Sequence, residues 1–390
     1  MLLVLALMFY CRRRRLRRRE RGEKIELEMA EGREKLVEEG EEGEEEKKKV
    51  GNGTHTNGRL LHDKEGSGAD NSEVSAVSRA SKKSGQYDHL AVPRTLLTEQ
   101  ITLGRGEFGD VALAKIDINQ VKKHRGRGEG GDVKMKPVLV KMLTAKDEST
   151  LCEFRRQLEL FSRIKHENIV KLIALCNDGE PHCLILEHTD WGDLKSFLLA
   201  TRHPESDTIH KCPPLVDRHN AMISAQLASG LLPISQGRLT HRDIACRNCM
   251  ITSSLQLKLS FPALSRGPLT KEYYNLHDRI IPLRWCPLEA VEGEYSTKSD
   301  VYMFAATVWE IYTKAELPFS KMSDKSVLEK LKNGTLEWIA PDNMPEKLVN
   351  LLKRCWSHSP SDRPQFTEIC EEMKTIMKEA SEDRDDEDKE

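Results

Sequence analysis

The fold turns on one stretch, His241-Arg242-Asp243-Ile244-Ala245-Cys246-Arg247-Asn248, which sets a carboxylate, two guanidinium groups and a carboxamide among apolar neighbours. Upstream of it the chain reads as strands. Ile101 to Ala114 has strand character split by a glycine-rich turn, Pro137 to Leu143 is a short apolar strand, and Val170 to Leu175 and Cys183 to Glu187 are two more. Among these strands, Leu151, Phe154, Leu158, Phe161 and Ile164 recur at helical spacing, so Glu148 to Ile164 reads as an amphipathic helix. Gln120 to Lys136, basic and rich in glycine, reads as a long surface loop. Past Trp191-Gly192-Asp193 the character changes to helices, at Arg218 to Leu232, Lys298 to Tyr312, Ser326 to Leu331 and Lys347 to Trp356. A strand-rich half followed by a helix-rich half predicts an α+β fold of two lobes, a small β-rich one and a larger helical one, with a cleft between them.

A chain of 390 residues can hold one large domain or two ordinary ones. Its 61 Lys and Arg nearly balance 63 Asp and Glu, but the charge is unevenly placed. Arg12 to Arg15 and Arg17 to Arg19 form a dense basic run, whereas Glu38 to Glu46 and Glu382 to Glu390 are acidic. Blocks of like charge repel themselves and rarely fold, which makes both acidic blocks solvated and disordered. The ten cysteines lack the dense spacing of a secreted disulfide scaffold, which fits a reducing setting for the folded part. Cys246 and Cys249 form a Cys-x-x-Cys, but no second ligand pair lies at zinc spacing. No nucleic-acid partner is expected.

Met1 to Tyr10 is almost wholly apolar, and the arginines follow it instead of preceding it as in a secretory signal. Crossing a bilayer takes about 20 such residues. The pattern matches the last half of a membrane-spanning helix with its cytoplasmic stop signal; the alternative is a short interfacial start held to anionic lipid by the arginines. The organisation expected is therefore the end of a span at 1–11, a disordered juxtamembrane linker at 12–96, one folded domain at 97–376 and an acidic tail at 377–390.

Two motifs precede the central stretch. Leu103-Gly104-Arg105-Gly106-Glu107-Phe108-Gly109-Asp110-Val111 is a Gly-x-Gly-x-x-Gly-x-Val, whose glycines let backbone amides approach phosphate oxygens. A dinucleotide fold would open a helix after the third glycine, but Val111 to Ala114 continues as strand. Val138-Leu139-Val140-Lys141 then places a lysine near the end of the next strand.

With these in place, His241 to Asn248 resembles the catalytic loop of the protein kinase family, in its tyrosine-kinase form. Pro282-Leu283-Arg284-Trp285, Asp300-Val301-Tyr302, Cys355-Trp356 and Asp362-Arg363-Pro364 agree, so the likeness covers Leu97 to Ile376. It implies that Asp243 takes the substrate hydroxyl proton with Arg247 beside it, and that Asn248 binds a magnesium. It further implies that Gly104, Gly106, Gly109, Val111 and Lys141 contact ATP, and that Glu289 pairs with Arg363. Tyr273 and Tyr274 fall where activation-segment tyrosines are modified by another kinase.

The departures weigh more than the matches. Phe261-Pro262-Ala263 stands where Asp-Phe-Gly is expected, and a phenyl ring offers no oxygen to a hard cation. Asn248 alone is a poor magnesium site, so magnesium is not expected and any ATP binding is weak. The helix position that pairs with Lys141 holds Gln157, which can hydrogen-bond but carries no charge. Glu159 should face away, and Glu153, one turn earlier, offers a shifted pairing. Losing the metal clamp forfeits several kcal/mol of transition-state stabilisation, at about 1.4 kcal/mol per factor of ten. The retained His241, Arg242 and Asp243 then serve structure.

This combination resembles the family of inactive receptor tyrosine kinases that includes colon carcinoma kinase four and off-track. That resemblance implies a single-pass protein of the cell membrane with a cytoplasmic pseudokinase domain. Such a domain acts as a scaffold for signalling proteins and active kinases in Wnt signalling, planar cell polarity and cell adhesion. The alternative is a weakly active ATP-dependent tyrosine kinase.

Overall fold

The computed structural model describes residues 87–126, 132–202, 215–261, 271–277 and 279–387, with side chains as far as 380. The expected span end at 1–11, most of the linker, and Pro262 and Ala263 lie outside the described residues. The small lobe is built on five antiparallel strands, β1 (Leu97–Arg105), β2 (Asp110–Asp117), β3 (Met135–Leu143), β4 (Leu172–Cys176) and β5 (His182–Glu187), in the order β1-β2-β3-β5-β4.

Side chains alternate across a strand, and both faces of this sheet are buried. Val111, Leu139, Leu184 and Leu186 point to one face and pack with Phe154, Leu158 and Phe161 of the long helix α2 (Glu148–Arg163). Ala112, Ala114, Ile116, Val138, Val140 and Ile185 point to the other, where Val92, Leu97 and Val121 cover them as a second, smaller core.

That outer cover corrects two expectations. The segment 120–136 does not run as a surface loop throughout: it begins inside a helix, α1 (Ile118–His124), and ends inside β3. Asp117 caps α1 by accepting from the Asn119 amide at 3.0 Å. Val121 anchors its apolar side, a single buried residue that the basic, glycine-rich surroundings hide from a periodicity reading. Nor is the linker unstructured up to 96. Residues 87–96 lie along the lobe, with Ala91 bridged to Leu175 and the Val92 amide donating to Leu175 O at 2.9 Å. Arg125 Nη2 donates to Leu90 O at 2.6 Å and to Ile173 O at 2.9 Å, tying this segment to both α1 and β4.

The helical lobe comprises α3 (Leu194–Thr201), α4 (Asp217–Gln236), α5 (Leu288–Glu292), α6 (Thr297–Tyr312), α7 (Asp324–Lys332), α8 (Glu346–Cys355) and α9 (Phe366–Glu387). The backbone of α9 carries helix into the stretch expected to be a free acidic tail. Buried α6 is the lobe's centre. Its Asp300 accepts from the amides of His241 at 2.7 Å and Arg242 at 3.0 Å, which fixes the catalytic-type loop against the helix. Arg363 pairs with Glu289 as anticipated and also donates to Ser357 O and Lys298 O. Removing one partner of such a buried pair costs about 3–5 kcal/mol.

Candidate functional site

The glycine-rich turn between β1 and β2 folds inward. Phe108 O accepts from the amides of Thr144 at 2.8 Å and Ala145 at 3.0 Å, and the Gly106 amide donates to Gly109 O at 2.6 Å. Close approach to β3 requires glycine at 109, where a Cβ would lie 2.2 Å from Thr144 Oγ1. The Phe108 ring is 2% exposed and meets Phe154 edge-on at 5.3 Å. Between the turn, Val111, Lys141 and Met142 there is essentially no room for even a water-sized guest, whereas ligand pockets start at roughly 300 Å³. Leu139 sits where the strand motif of kinases has alanine and joins the same apolar cluster as Phe108 and Val111. The motif comparison contained that signal, and sequence reasoning missed it.

Lys141 is buried, 2% exposed. Its Nζ donates to Gln157 Oε1 and to the main-chain carbonyl of Phe261, both at 3.4 Å, and lies 5.9 Å from the centre of the Phe108 ring. Burial pushes its pKa down to about 8, although the carboxylates of Glu107 and Glu153 favour the charged form. Glu153 itself takes both Nε and Nη2 of Arg156 at 2.7 Å and the Gln157 amide at 3.0 Å. Glu159 pairs with Arg163 at the surface, as its helical angle requires.

Phe261 does more than remove a metal ligand. Its ring stacks on His241 with centroids 4.2 Å apart and planes 5° from parallel, and meets Phe161 of α2 edge-on at 5.5 Å. The Arg156 guanidinium lies 5.0 Å from its centre and donates to Thr240 O at 2.8 Å. His241 passes a hydrogen bond to Ser260 O at 2.8 Å; burial, with the nearby Arg156, holds its pKa down to about 4, so the ring is neutral. A residue read as a loss in sequence is thus a packed joint between the two lobes.

Asp243 is closed off. Arg247 Nη2 donates to Oδ1 at 2.5 Å, and the Tyr273 hydroxyl donates to Oδ2 at 2.7 Å. Tyr273 also accepts from Arg247 Nε at 2.8 Å and lies under the Arg247 guanidinium at 4.4 Å. Glu272 completes the network through Arg247 Nη1 at 3.1 Å and Lys195 Nζ at 2.5 Å. Glu272 and Lys195 were not read as site residues, because nothing in spacing links α3 to the activation segment. Tyr274, partly buried, opens a short strand paired with Arg279–Ile281.

A magnesium of the kinase kind does not fit these donors. Asn248 gives Nδ2 to Asp243 O at 2.6 Å and keeps Oδ1 buried without a hydrogen-bond partner, an acceptor that such a metal would use. Phe261 supplies no second oxygen, and no group of three His, Cys, Asp or Glu among the described residues could hold a metal. Cys246 and Cys249 are buried free thiols, and burial raises the pKa of each.

Lobes, cleft and loop define the protein-kinase class. The chain belongs to the protein tyrosine and serine/threonine kinase family, whose model matches residues 97–373. Inactive tyrosine-protein kinase 7 is 38% identical in Gallus gallus and 37% in Homo sapiens, each over 94% of this chain and 32% of that protein. Tyrosine-protein kinase-like otk of Drosophila melanogaster is 34% identical over 97% of this chain and 42% of its own length. The chain thus spans less than half the length of these relatives. It has this family's fold and loop, with Phe261 in place of the oxygen donor at the metal position.

Proposed function

We propose that this chain is the cytoplasmic part of a single-pass membrane receptor and works as a docking scaffold for signalling proteins and active kinases, without transferring phosphate itself. Phe261 carries the reading. Its ring fills the place of a metal-binding carboxylate, and its carbonyl takes the lysine that would hold ATP phosphates. The inward Phe108 and Leu139 support weak nucleotide binding at most, without magnesium. Likeness to the inactive kinases supports roles in Wnt signalling, planar polarity and adhesion for the protein as a whole, and the apolar, arginine-flanked start supports membrane attachment.

A second reading, residual tyrosine kinase activity, is favoured by one observation, the unpartnered Asn248 Oδ1 beside a retained Asp243. A single-turnover assay of the chain with ATP, magnesium and a tyrosine peptide separates the two. No phosphopeptide is expected. Phosphopeptide formed by the chain and lost on Asp243→Asn would overturn the scaffold reading.

A further inference from the structure

One edge of the small lobe holds a pair of thiols that the cleft does not use. Cys176, the last residue of β4, lies directly opposite Cys183 of β5 in the antiparallel register. Opposite residues share a face, and both belong to the smaller core with Ala174 and Ile185, 0% and 1% exposed. Leu175 turns its carbonyl away from β5, to the Val92 amide at 2.9 Å, so Cys176, one residue on, turns its main chain toward β5. That makes the two cysteines a hydrogen-bonded pair, with Cα atoms about 5.5 Å apart. A disulfide takes a Cα separation of about 4.4–6.8 Å, most often near 5.5–6 Å. Both thiols are free, and no third ligand among the described residues makes the pair a metal site.

The turn that joins them, residues 177–181, is exposed from 177 to 180 and is held by Arg94. The Arg94 amide donates to Asp178 Oδ2 at 3.0 Å, and its Nη2 donates to Gly179 O at 3.4 Å and to Pro181 O. Cys183 Sγ donates to the same Pro181 carbonyl at 3.2 Å. Burial pushes both thiols up, Cys176 to about 12, and the Asp178 carboxylate adds to this, while the Arg94 guanidinium favours the thiolates. The pair is therefore quiet in the closed hairpin and becomes reactive when the exposed turn frays beside that cation.

We propose that Cys176 and Cys183 are a redox pair: hydrogen peroxide joins them in a disulfide that fastens β4 to β5, and a thiol reductant opens it. One sulfur, as thiolate, attacks a peroxide oxygen. An S–O bond forms, the O–O bond breaks, and the departing hydroxide takes the proton the thiol gave up and leaves as water. The other sulfur then attacks the resulting sulfenic acid. The S–S bond forms, the S–O bond breaks, and the second thiol proton leaves with that oxygen as a second water. Two thiols lose two electrons, and one hydrogen peroxide is reduced to two waters. The inference holds whether or not this chain retains any phosphoryl transfer of its own.

The test uses the full chain, reduced, exposed to hydrogen peroxide and blocked with iodoacetamide before digestion. Mass spectrometry reads the peptide that carries both cysteines, and hydrogen exchange reads residues 172–187. The expected product is that peptide two hydrogens lighter and unblocked at both sulfurs, formed before the buried thiols of Cys246, Cys249 and Cys286 are lost, and reversed by dithiothreitol. Exchange across 172–187 should then slow on the order of tenfold, and the slowing should be absent in Cys183→Ser. Three results would overturn the proposal. In the first, both sulfurs are recovered as thiols or as separate sulfinic acids at a dose that oxidises the exposed Cys152. In the second, the link forms only after urea has unfolded the chain, so the folded register does not bring the sulfurs together. In the third, the link forms and exchange is unchanged, so it fastens nothing.

Discussion

The Tyr273 hydroxyl lies 2.7 Å from Asp243 Oδ2, on the carboxylate that an active kinase turns toward its substrate. The chain's own tyrosine therefore stands where a substrate hydroxyl would. Because that bond and the one from Arg247 join buried charged groups, Tyr273→Phe should lower stability by about 1.5–3 kcal/mol, read from urea unfolding. An unchanged midpoint would mean the bonds are not held in solution. With an added tyrosine kinase, Tyr274 should be modified before Tyr273 in wild type.

Lys141 gives a pH signature. Its folded pKa of about 8 lies below the ordinary 10.5, so the folded state binds fewer protons between those values. Stability should rise as pH climbs from about 8 to 10.5, by roughly 3 kcal/mol at most, and be lost again as pH falls through 8. Lys141→Met should remove this rise and be more stable than wild type at neutral pH. A destabilised Met variant would mean that the charged lysine's partners outweigh the cost of burying it.

Phe261→Ala should cost about 3–5 kcal/mol, since the ring packs against His241, Phe161 and Arg156 together. Phe261→Asp should be at least as costly and should still show no transfer, because it restores a ligand and leaves Gln157 and the filled cleft in place. Measured turnover by the Asp variant would sink this account.

Opening the cleft should be possible by removing what fills it. Phe108→Ala with Leu139→Ala is expected to give an ATP-dependent rise in melting temperature that exceeds the wild-type response and is insensitive to magnesium. No gain over wild type would show that these two side chains are not the barrier.

Large features were legible in the residues: the order of lobes, the helix that bears Gln157, the strand that ends near Lys141 and the Glu289–Arg363 pair all follow from motif and period. What escaped was long-range or carried by single residues. One buried Val121 marks α1, too little for a 3.6-residue period to register. The link from Glu272 to Lys195 spans 77 positions, a separation across which side-chain types alone carry no signal. Phe261 was read by what it lacks, and its stacking partners are set by the meeting of two lobes, which only coordinates reveal.

Asp300 takes the main-chain amides of His241 and Arg242, not their side chains' chemistry. A surveyor who counts kinases by the letters His-Arg-Asp would enrol this chain among the active ones. On the scaffold reading those letters serve as carpentry: the loop's backbone needs a fixed shape against α6, a need that remains whether or not the side chains react.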